Sequence, residues 1–134
     1  MAAAVFRVFA AAAALAGCTS MATTSVSLDG TRWQVTAIDG RATPRTDVYR
    51  MEFKDGQAGG RFGCNHFGGQ YSATGETLTV TNTTSTLMGC PEPAPTFERE
   101  GLAVLQQPMA INWSSGSRLT LTNGVGSIAL ERLP

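Results

Sequence analysis

Hydrophobic and polar residues alternate along much of the chain after residue 30, in short segments separated by turn-forming pairs. Alternation with this period is typical of strands that turn one face to a core and the other to water. The clearest segments are TRWQVTAI from Thr31, VYRMEFK from Val48, TLTVT from Thr77 and RLTLT from Arg118. Because the intervening Asp-Gly, Gly-Glu and Asn-Gly pairs favour tight turns, we expect neighbouring strands to form antiparallel hairpins.

The alternation also predicts which side chains face the core. In the first segment these are Trp33, Val35 and Ala37, on one side of a strand over residues 31–38. By the same rule, later segments contribute Tyr49, Met51, Phe53, Leu78 and Val80. Additional strands are predicted from residue 60 onward and over residues 70–74, 110–114 and 127–132, with a loop after the turn at residues 39–40.

One segment departs from this alternation and predicts a helix over residues 96–107. Apolar residues recur there at helical spacing, namely Phe97, Gly101 or Leu102, Val104 and Leu105. Prolines within residues 91–95 exclude a regular strand before the helix, and Pro108 ends it. Glu98 and Glu100 are expected to favour the positive N-terminal end of the helix dipole.

These elements together define the expected fold class. Seven or eight short strands at intervals of about ten residues, joined by hairpin turns, favour an antiparallel meander that closes toward a barrel. We therefore expect a mainly β fold with one α-helix packed after the second cysteine segment. The length allows a single domain, which we assign to residues 29–134.

The N-terminal residues predict an address rather than a part of the fold. Residues 8–17 form an apolar run after Arg7, shorter than the roughly 20 residues that span a bilayer but long enough for a signal peptide. The run ends in Leu-Ala-Gly before Cys18, which resembles the bacterial lipobox. We expect a lipoprotein signal peptide over residues 1–17, lipid attachment at Cys18 and a lipidated tether over residues 18–28. An ordinary secretory signal with a chance cysteine is the alternative.

The residue that follows Cys18 bears on where the lipid would reside. Thr19 occupies the position at which an aspartate would resemble the signal for retention in the inner membrane. We therefore predict a protein that is lipid-anchored in the cell envelope, at the outer membrane and facing the periplasm if the cell is Gram-negative.

The charge balance excludes one class of partner. The chain has ten lysines and arginines, ten aspartates and glutamates and one histidine, so its formal net charge is zero. Without an overall basic field, binding to nucleic acid through phosphate contacts is not expected. The expected partners are a membrane, reached through the lipid, and an unidentified envelope protein or small ligand. We expect the protein to be a monomer.

The stretch over residues 61–90 holds two of the three cysteines and the only histidine. If Cys18 carries lipid, Cys64 and Cys90 form an even pair in an oxidising compartment, which favours a disulfide bond. The bond would close a loop of about 27 residues, for which chain entropy predicts about 3.5 kcal/mol of stability. A reduced, buried pair of thiols is the alternative.

Other chemistry for this stretch is less favoured. Cys64 and His66 lie on one face of a strand, but no neighbouring group would orient the imidazole of a nucleophile pair. Adding Cys90 gives three ligands without a standard zinc spacing, against the four that a structural zinc usually takes. We predict no catalytic residues, no metal site and no cofactor. The glycines of the stretch permit tight turns or a bulge.

Two motif segments in this stretch resemble the META domain family, in particular its HslJ-like heat-shock lipoproteins. The first is GCNHFGGQY over residues 63–71, similar to the family pattern G-C-N-x-x-x-G-x-Y. The second is STLMGC over residues 85–90, similar to S-T-x-M-x-C. The opening around Trp33 and the segment after Phe97 extend the resemblance over nearly the whole chain that follows the predicted tether.

The resemblance implies a small, envelope-anchored, β-rich domain with a lipocalin-like barrel and a role in stress response or envelope integrity. It supplies no catalytic residue set, so none is carried over. The positions that it marks as structural are Cys64, Asn65, Gly69, Tyr71, Ser85, Thr86, Met88 and Cys90.

Three functional classes follow from these observations. The leading hypothesis is a non-enzymatic envelope lipoprotein that acts through binding in stress tolerance or envelope integrity. The second is a periplasmic inhibitor or small-ligand-binding barrel, with an exposed His66 at its binding edge. A thiol-redox role for Cys64 and Cys90 is the least favoured, because a buried, resistant disulfide does not exchange readily.

Overall fold

A computed structural model of the chain describes residues 12–17 and 27–134. Residues 12–17 are exposed and have no regular secondary structure. The rest contains nine strands and one helix: β1 (Thr31–Ile38), β2 (Arg41–Ala42), β3 (Tyr49–Lys54), β4 (Gln57–Phe62), β5 (His66–Thr74), β6 (Thr77–Ser85), α1 (Ala94–Leu105), β7 (Met109–Ser115), β8 (Arg118–Thr122) and β9 (Ser127–Arg132). Cys18 and most of the predicted signal peptide and tether lie outside the described residues.

Eight of these strands form a closed antiparallel barrel. Each strand from β3 to β9 pairs with the next one along the chain, and β1 pairs with both β3 and β9, which closes the ring. The two-residue strand β2 lies outside the ring, paired with the end of β1. The predicted fold, a mainly β meander that closes into a barrel and carries one helix after the second cysteine segment, is confirmed.

A two-residue turn sets the register of β3 and β4. Asp55 and Gly56 have φ angles of 53° and 75°, the left-handed conformation that a type I′ hairpin turn needs at both positions. The turn places Lys54 opposite Gln57, and the other pairs of the two strands follow in regular order. The positions that face each other across this hairpin are therefore fixed by its turn.

The predicted inward face of β1 is wrong at its far end. Trp33 and Val35 are buried, but Ala37 is only partly buried, and Ile38 occupies the core position instead. A bulge between Val35 and Ala37 in the pairing with β9 changes which side of the strand faces inward. Alternation within β1 did not reveal the change, because the bulge arises from pairing with a distant strand.

The strands around the central stretch are longer than predicted. The strand expected over residues 70–74 begins at His66, and β6 continues to Ser85. Their pairing contains a bulge next to Gly69, where a Cβ atom would lie 2.7 Å from the carbonyl oxygen of Thr81. Only glycine fits that close approach of two backbones.

The interior of the barrel is a continuous apolar core. Every barrel strand contributes to it, and the largest fully buried side chains include Trp33, Phe53 and Phe62. Phe62 stacks on Phe67 with ring centroids 4.6 Å apart. Because large side chains occupy the interior, the corners and the outer wall of the barrel are the places left for polar chemistry.

Helix α1 packs against β1, β4 and β9 through its apolar face. Its buried residues include Phe97 and Gly101, and a Cβ atom on Gly101 would lie 2.5 Å from the ring of Phe62. At its other end, Asn123 donates a hydrogen bond of 2.8 Å to the carbonyl of Val104. Within residues 12–17 and 27–134, no helix is long and apolar enough to cross a membrane.

Two details of the predicted helix need correction. The helix begins at Ala94, two residues before the predicted start, because Pro95 fits the first turn, where its missing N–H has no partner to lose. The first turn contains no acidic residue, so Glu98 and Glu100 do not lie at the positive end of the dipole. Glu98 has a different role, described below.

The ring has one short junction. β6 and β7 pair only through Thr77 with Ala110 and Leu78 with Met109, whereas β5 and β6 pair along most of their length. The chain between β6 and β7 contains the second motif segment and the helix. The motif segments therefore lie where the meander is interrupted.

Candidate functional site

The two motif segments meet at one corner of the barrel, which we call the motif corner and define as residues 63–66 and 85–90. A disulfide bond joins Cys64 to Cys90, with their Cα atoms 6.0 Å apart and 26 residues between them along the chain. Cys64 is 1% exposed, and Cys90 is partly buried. The bond fixes the segment after β6 to the turn that connects β4 and β5.

Asn65 occupies the centre of the motif corner and is 5% exposed. Its side-chain oxygen accepts hydrogen bonds from the backbone N–H of Met88 at 2.6 Å and from the Thr86 hydroxyl at 3.0 Å. Its side-chain nitrogen donates to the Met88 carbonyl at 3.3 Å. One amide therefore makes contacts with both sides of the corner.

Glu98 connects the motif corner to the helix. Its two carboxylate oxygens accept hydrogen bonds from the backbone N–H and the side-chain nitrogen of Asn65, each at 2.9 Å. Hydrogen bonds to a charged acceptor are stronger than those between neutral groups. Glu98 thus serves as an anchor for Asn65 rather than as a partner of the helix dipole.

The motif corner also holds two side chains at the edge of the outer wall. The guanidinium of Arg61 donates two hydrogen bonds to the carbonyl of Cys64, at 3.0 Å from Nε and 2.9 Å from Nη2. The backbone of His66 donates to the Thr86 hydroxyl at 3.1 Å and accepts from the Thr86 N–H at 3.0 Å. The side chain of His66 is exposed.

Of the residues that the sequence marks as sites, six lie together at the corner and two lie elsewhere. Gly69 is next to the bulge in β6, and Tyr71 lies further along β5, where its hydroxyl donates to Asp29 at 3.1 Å. Burial raises the pKa of the Tyr71 hydroxyl above its usual value, and the hydrogen bond to Asp29 adds to the rise. Ser85, at the end of β6, donates to the Thr86 carbonyl at 2.9 Å.

The tip of the motif corner presents apolar side chains to solvent. Leu87 is 96% exposed and Met88 is 51% exposed, although both belong to the segment that the disulfide and Asn65 hold in place. We call these two residues the apolar tip. The backbone of Met88 is fixed by two hydrogen bonds while its side chain is directed outward.

The corner has no free thiol among the described residues. Cys64 and Cys90 are bonded to each other, so neither is available in this state as a nucleophile or a metal ligand. No group of three His, Cys, Asp or Glu side chains in the described part of the chain is arranged to hold a metal ion. What the corner can do, with its disulfide closed, is orient side chains at a surface.

A second feature of the outer wall lies directly beside the motif corner. Arg50 of β3 faces Arg61 of β4, and Arg61 faces His66 of β5, so three basic side chains form one row across three strands. We call this the basic row. In the described part of the chain, neither arginine of the row lies within 4.0 Å of a carboxylate.

The basic row borders a cleft of about 340 Å³ on the outside of the barrel. In the adjacent row, Arg32 of β1 faces Glu52 of β3, and Glu52 faces Gly59 of β4, which leaves the space above Gly59 open. Asp47 also contributes to the lining. The cleft therefore has one neutralised row, one unneutralised row and a floor that lacks side chains at its glycine.

Sequence reasoning missed the basic row, although a signal for it was present. The Asp-Gly turn predicts that the residues on either side of it pair, and counting outward from Lys54 and Gln57 places Arg50 opposite Arg61. The pairing of Arg61 with His66 depends on the irregular turn at the motif corner. No sequence rule fixes that turn, so the third member of the row could not have been assigned.

A different stretch of the outer wall neutralises its arginines. Glu131 of β9 lies 3.0 Å from Arg45 and 3.7 Å from Arg118 of β8. We call these three residues the Glu131 cluster. The hydrogen bond from Arg45 and its charge lower the pKa of Glu131 below its usual value, and Arg118 adds a smaller effect of the same sign.

Comparison with known proteins identifies relatives of the chain at two levels. The sequence model of the META domain family matches residues 26–132. An NMR structure of a protein from Burkholderia xenovorans superposes with a TM-score of 0.66 and 22% identity, over 79% of this chain and 83% of that one. A second protein solved by NMR gives a TM-score of 0.65 and 18% identity, over 78% of this chain and 90% of the other. At these identities the structural matches speak for the fold alone. No curated protein matches the chain significantly.

Proposed function

This chain belongs to the META domain family, and from that premise we propose that it is a non-catalytic binding protein of the bacterial envelope. It acts in stress tolerance or envelope integrity, as an HslJ-like lipoprotein does, and lipid on Cys18 holds it at the outer membrane. The lipobox-like sequence before Cys18 supports the anchor. The support for a binding role is the apolar tip.

The apolar tip carries the proposal because it combines exposure with a fixed backbone. An exposed leucine alone needs no explanation, since apolar atoms make up much of any protein surface. Leu87 is almost fully exposed in a segment that a disulfide and a buried asparagine hold rigid. A rigid segment loses little conformational entropy when it binds, so fixed apolar side chains suit contact with a partner protein.

Complementation of a deletion strain tests the binding role. The strain is challenged with heat, detergent and envelope-active antibiotics while it expresses the wild type, a Leu87→Ser/Met88→Ser variant or a Val125→Ser variant. Val125 is the matched control, because it is 51% exposed and lies in the loop between β8 and β9, away from the motif corner. We expect the double variant to fail and the control to restore resistance.

Full complementation by the Leu87→Ser/Met88→Ser variant would remove the apolar tip from the proposal. Normal resistance of the deletion strain itself would count against a role in stress tolerance. The anchor is tested separately by labelling with a palmitate analogue, which is expected to mark the wild type and to spare a Cys18→Ala variant. Equal labelling of both would contradict lipidation at Cys18.

A small-ligand-binding role is the second candidate, and the cleft beside His66 favours it. A thiol-redox role has less support. Thiol–disulfide exchange needs a thiolate to reach one of the two sulfurs, and Cys64 is 1% exposed. We therefore expect the disulfide to resist glutathione in the folded protein.

A further inference from the structure

The basic row is an arrangement that folding alone does not favour. Like charges directly opposite each other on antiparallel strands are destabilising, and Arg50 faces Arg61 in this way. The neighbouring row has Arg32 opposite Glu52, so the same three strands elsewhere pair opposite charges. A site that keeps unneutralised cations side by side is suited to an anion that neutralises them.

The basic row is also held in place before any ligand arrives. Arg61 is fixed by two hydrogen bonds to the Cys64 carbonyl, and this carbonyl belongs to a residue that a disulfide restrains. The backbone at His66 is held by two hydrogen bonds with Thr86. Prior fixing of binding groups reduces the entropy lost on binding. The motif corner thus serves as the support of the basic row.

We propose that the cleft binds a phosphate monoester, with the phosphate on the basic row and the group that bears it above Gly59. A phosphate monoester carries a charge of about −1.5 to −2 at pH 7 and presents three acceptor oxygens, which suits more than one cation. The planar guanidinium of arginine matches phosphate oxygens in a bidentate way. A single carboxylate would leave part of the row without a partner.

The rest of the cleft indicates the kind of group that bears the phosphate. No side chain rises from Gly59, so a ring or a short polar chain can lie close to the backbone there. Glu52 and Asp47 supply acceptors for hydroxyl or amine donors. The ligand is therefore a phosphate monoester on a hydroxyl- or amine-bearing group, either a soluble sugar phosphate or a lipid headgroup.

This site is separate from the apolar tip and does not rest on it. The cleft faces outward from β3, β4 and β5, whereas the tip belongs to the segment after β6. A failure of the Leu87→Ser/Met88→Ser test would leave the anion site standing, and the reverse also holds.

Titration of the full chain with glucose 6-phosphate, followed by amide chemical shifts, tests the proposal. We expect saturable shifts at His66, Arg61 and Gly59, and none with glucose at the same concentration. An Arg50→Gln/Arg61→Gln variant should bind at least roughly tenfold more weakly, a difference of about 1.4 kcal/mol. The matched control is Arg45→Gln/Arg118→Gln, which removes the same charge from the Glu131 cluster and should bind within about twofold of the wild type.

Three results would overturn the proposal. They are the absence of saturable shifts at millimolar ligand, equal weakening by both double variants, and equal affinity for glucuronate, which carries a carboxylate in place of the phosphate. Matching thermal unfolding midpoints of the two variants would show that any difference in binding does not come from unfolding. A lysine variant, Arg50→Lys/Arg61→Lys, adds a second check, because it keeps the charge and should regain only part of the affinity.

The source of the phosphate is distinguished by a competition experiment. Vesicles of phosphatidylcholine with phosphatidic acid present a monoester headgroup, and vesicles of phosphatidylcholine alone do not. Displacement of glucose 6-phosphate by the first kind of vesicle only would assign the site to a lipid headgroup. Binding of glucose 6-phosphate that neither vesicle disturbs would assign it to a soluble phosphate. Both results support the phosphate site itself.

Discussion

Two stretches of the barrel wall treat a pair of arginines in opposite ways. In the Glu131 cluster, Arg45 and Arg118 share one carboxylate, at 3.0 and 3.7 Å. In the basic row, Arg50 and Arg61 face each other and have no carboxylate within 4.0 Å among the described residues. The barrel is therefore able to neutralise its surface arginines, and one stretch does not. That difference indicates that the basic row serves a ligand rather than stability.

Removal of the disulfide should have the largest effect, and it should separate the two stretches. A Cys64→Ala/Cys90→Ala variant is expected to lose about 3.5 kcal/mol of unfolding free energy, because the unfolded chain gains the freedom of the open loop. The loss should also release the carbonyl that holds Arg61, while the Glu131 cluster stays as it is. Urea denaturation measures the first effect, and side-chain NMR of the arginines measures the second. Unchanged stability would contradict the structural role of the bond.

Replacement of Asn65 should rank second. An Asn65→Ala variant leaves the carboxylate of Glu98 and the N–H of Met88 without partners in a half-buried region, so we expect a loss of about 2–3 kcal/mol. Asn112→Ala is the control, because Asn112 is exposed and its 2.8 Å hydrogen bond to Thr122 lies on the outside of β7 and β8. The control should stay within about 0.5 kcal/mol of the wild type in urea denaturation. Similar losses in both variants would show that Asn65 has no special role.

Single arginine substitutions should change stability in opposite directions in the two stretches. Arg50→Gln is expected to raise the unfolding free energy by about 0.5 kcal/mol, because it removes a like charge opposite Arg61. Arg45→Gln is expected to lower the unfolding free energy, because it removes the partner of Glu131. Thermal unfolding at low ionic strength measures both, and high salt should reduce both. A loss of stability in Arg50→Gln would remove the argument from like-charge repulsion.

The smallest effect concerns pH and belongs to the Glu131 cluster alone. The folded-state pKa of Glu131 is lowered, chiefly by the hydrogen bond from Arg45. This carboxylate therefore adds stability above its unfolded-state pKa, and the contribution disappears as the pH falls through its folded-state value. Arg45→Gln should raise the Glu131 pKa toward its ordinary value in a carboxyl NMR titration, whereas Arg50→Gln should leave it unchanged. A shift in both variants would mean that the two stretches are electrically coupled.

Local patterns in the sequence predicted the elements well and their lateral neighbours poorly. The strands over residues 118–122 and 127–132 were predicted with the bounds that the structure gives them, because alternation and turn residues are local signals. The burial of Ile38 in place of Ala37 was missed, because it follows from pairing with β9 near the other end of the chain. Charge composition was equally uninformative, since a net charge of zero conceals a local row of cations.

The candidate site shows the same division. The disulfide between Cys64 and Cys90 followed from the count of cysteines and the expected compartment, and the structure contains it. The role of Glu98 was wrongly predicted, because helical position suggested the dipole while the three-dimensional neighbour is Asn65. Contacts between a helix and a distant turn leave no periodic trace in a sequence, so no pattern could have revealed this one.

The junction between β1 and β9 has a consequence for how the protein reaches its folded state. Thr31–Ile38 and Ser127–Arg132 are the first and last strands of the barrel, and their pairing is the step that turns a curled sheet into a ring. Contacts between such distant segments form slowly, because a long loop must close before they yield any stabilisation. During synthesis and export, β1 keeps an open edge until the final strand is available. A chain that stalls before Ser127 would carry an unprotected sheet edge, the kind of surface at which strands of separate molecules join.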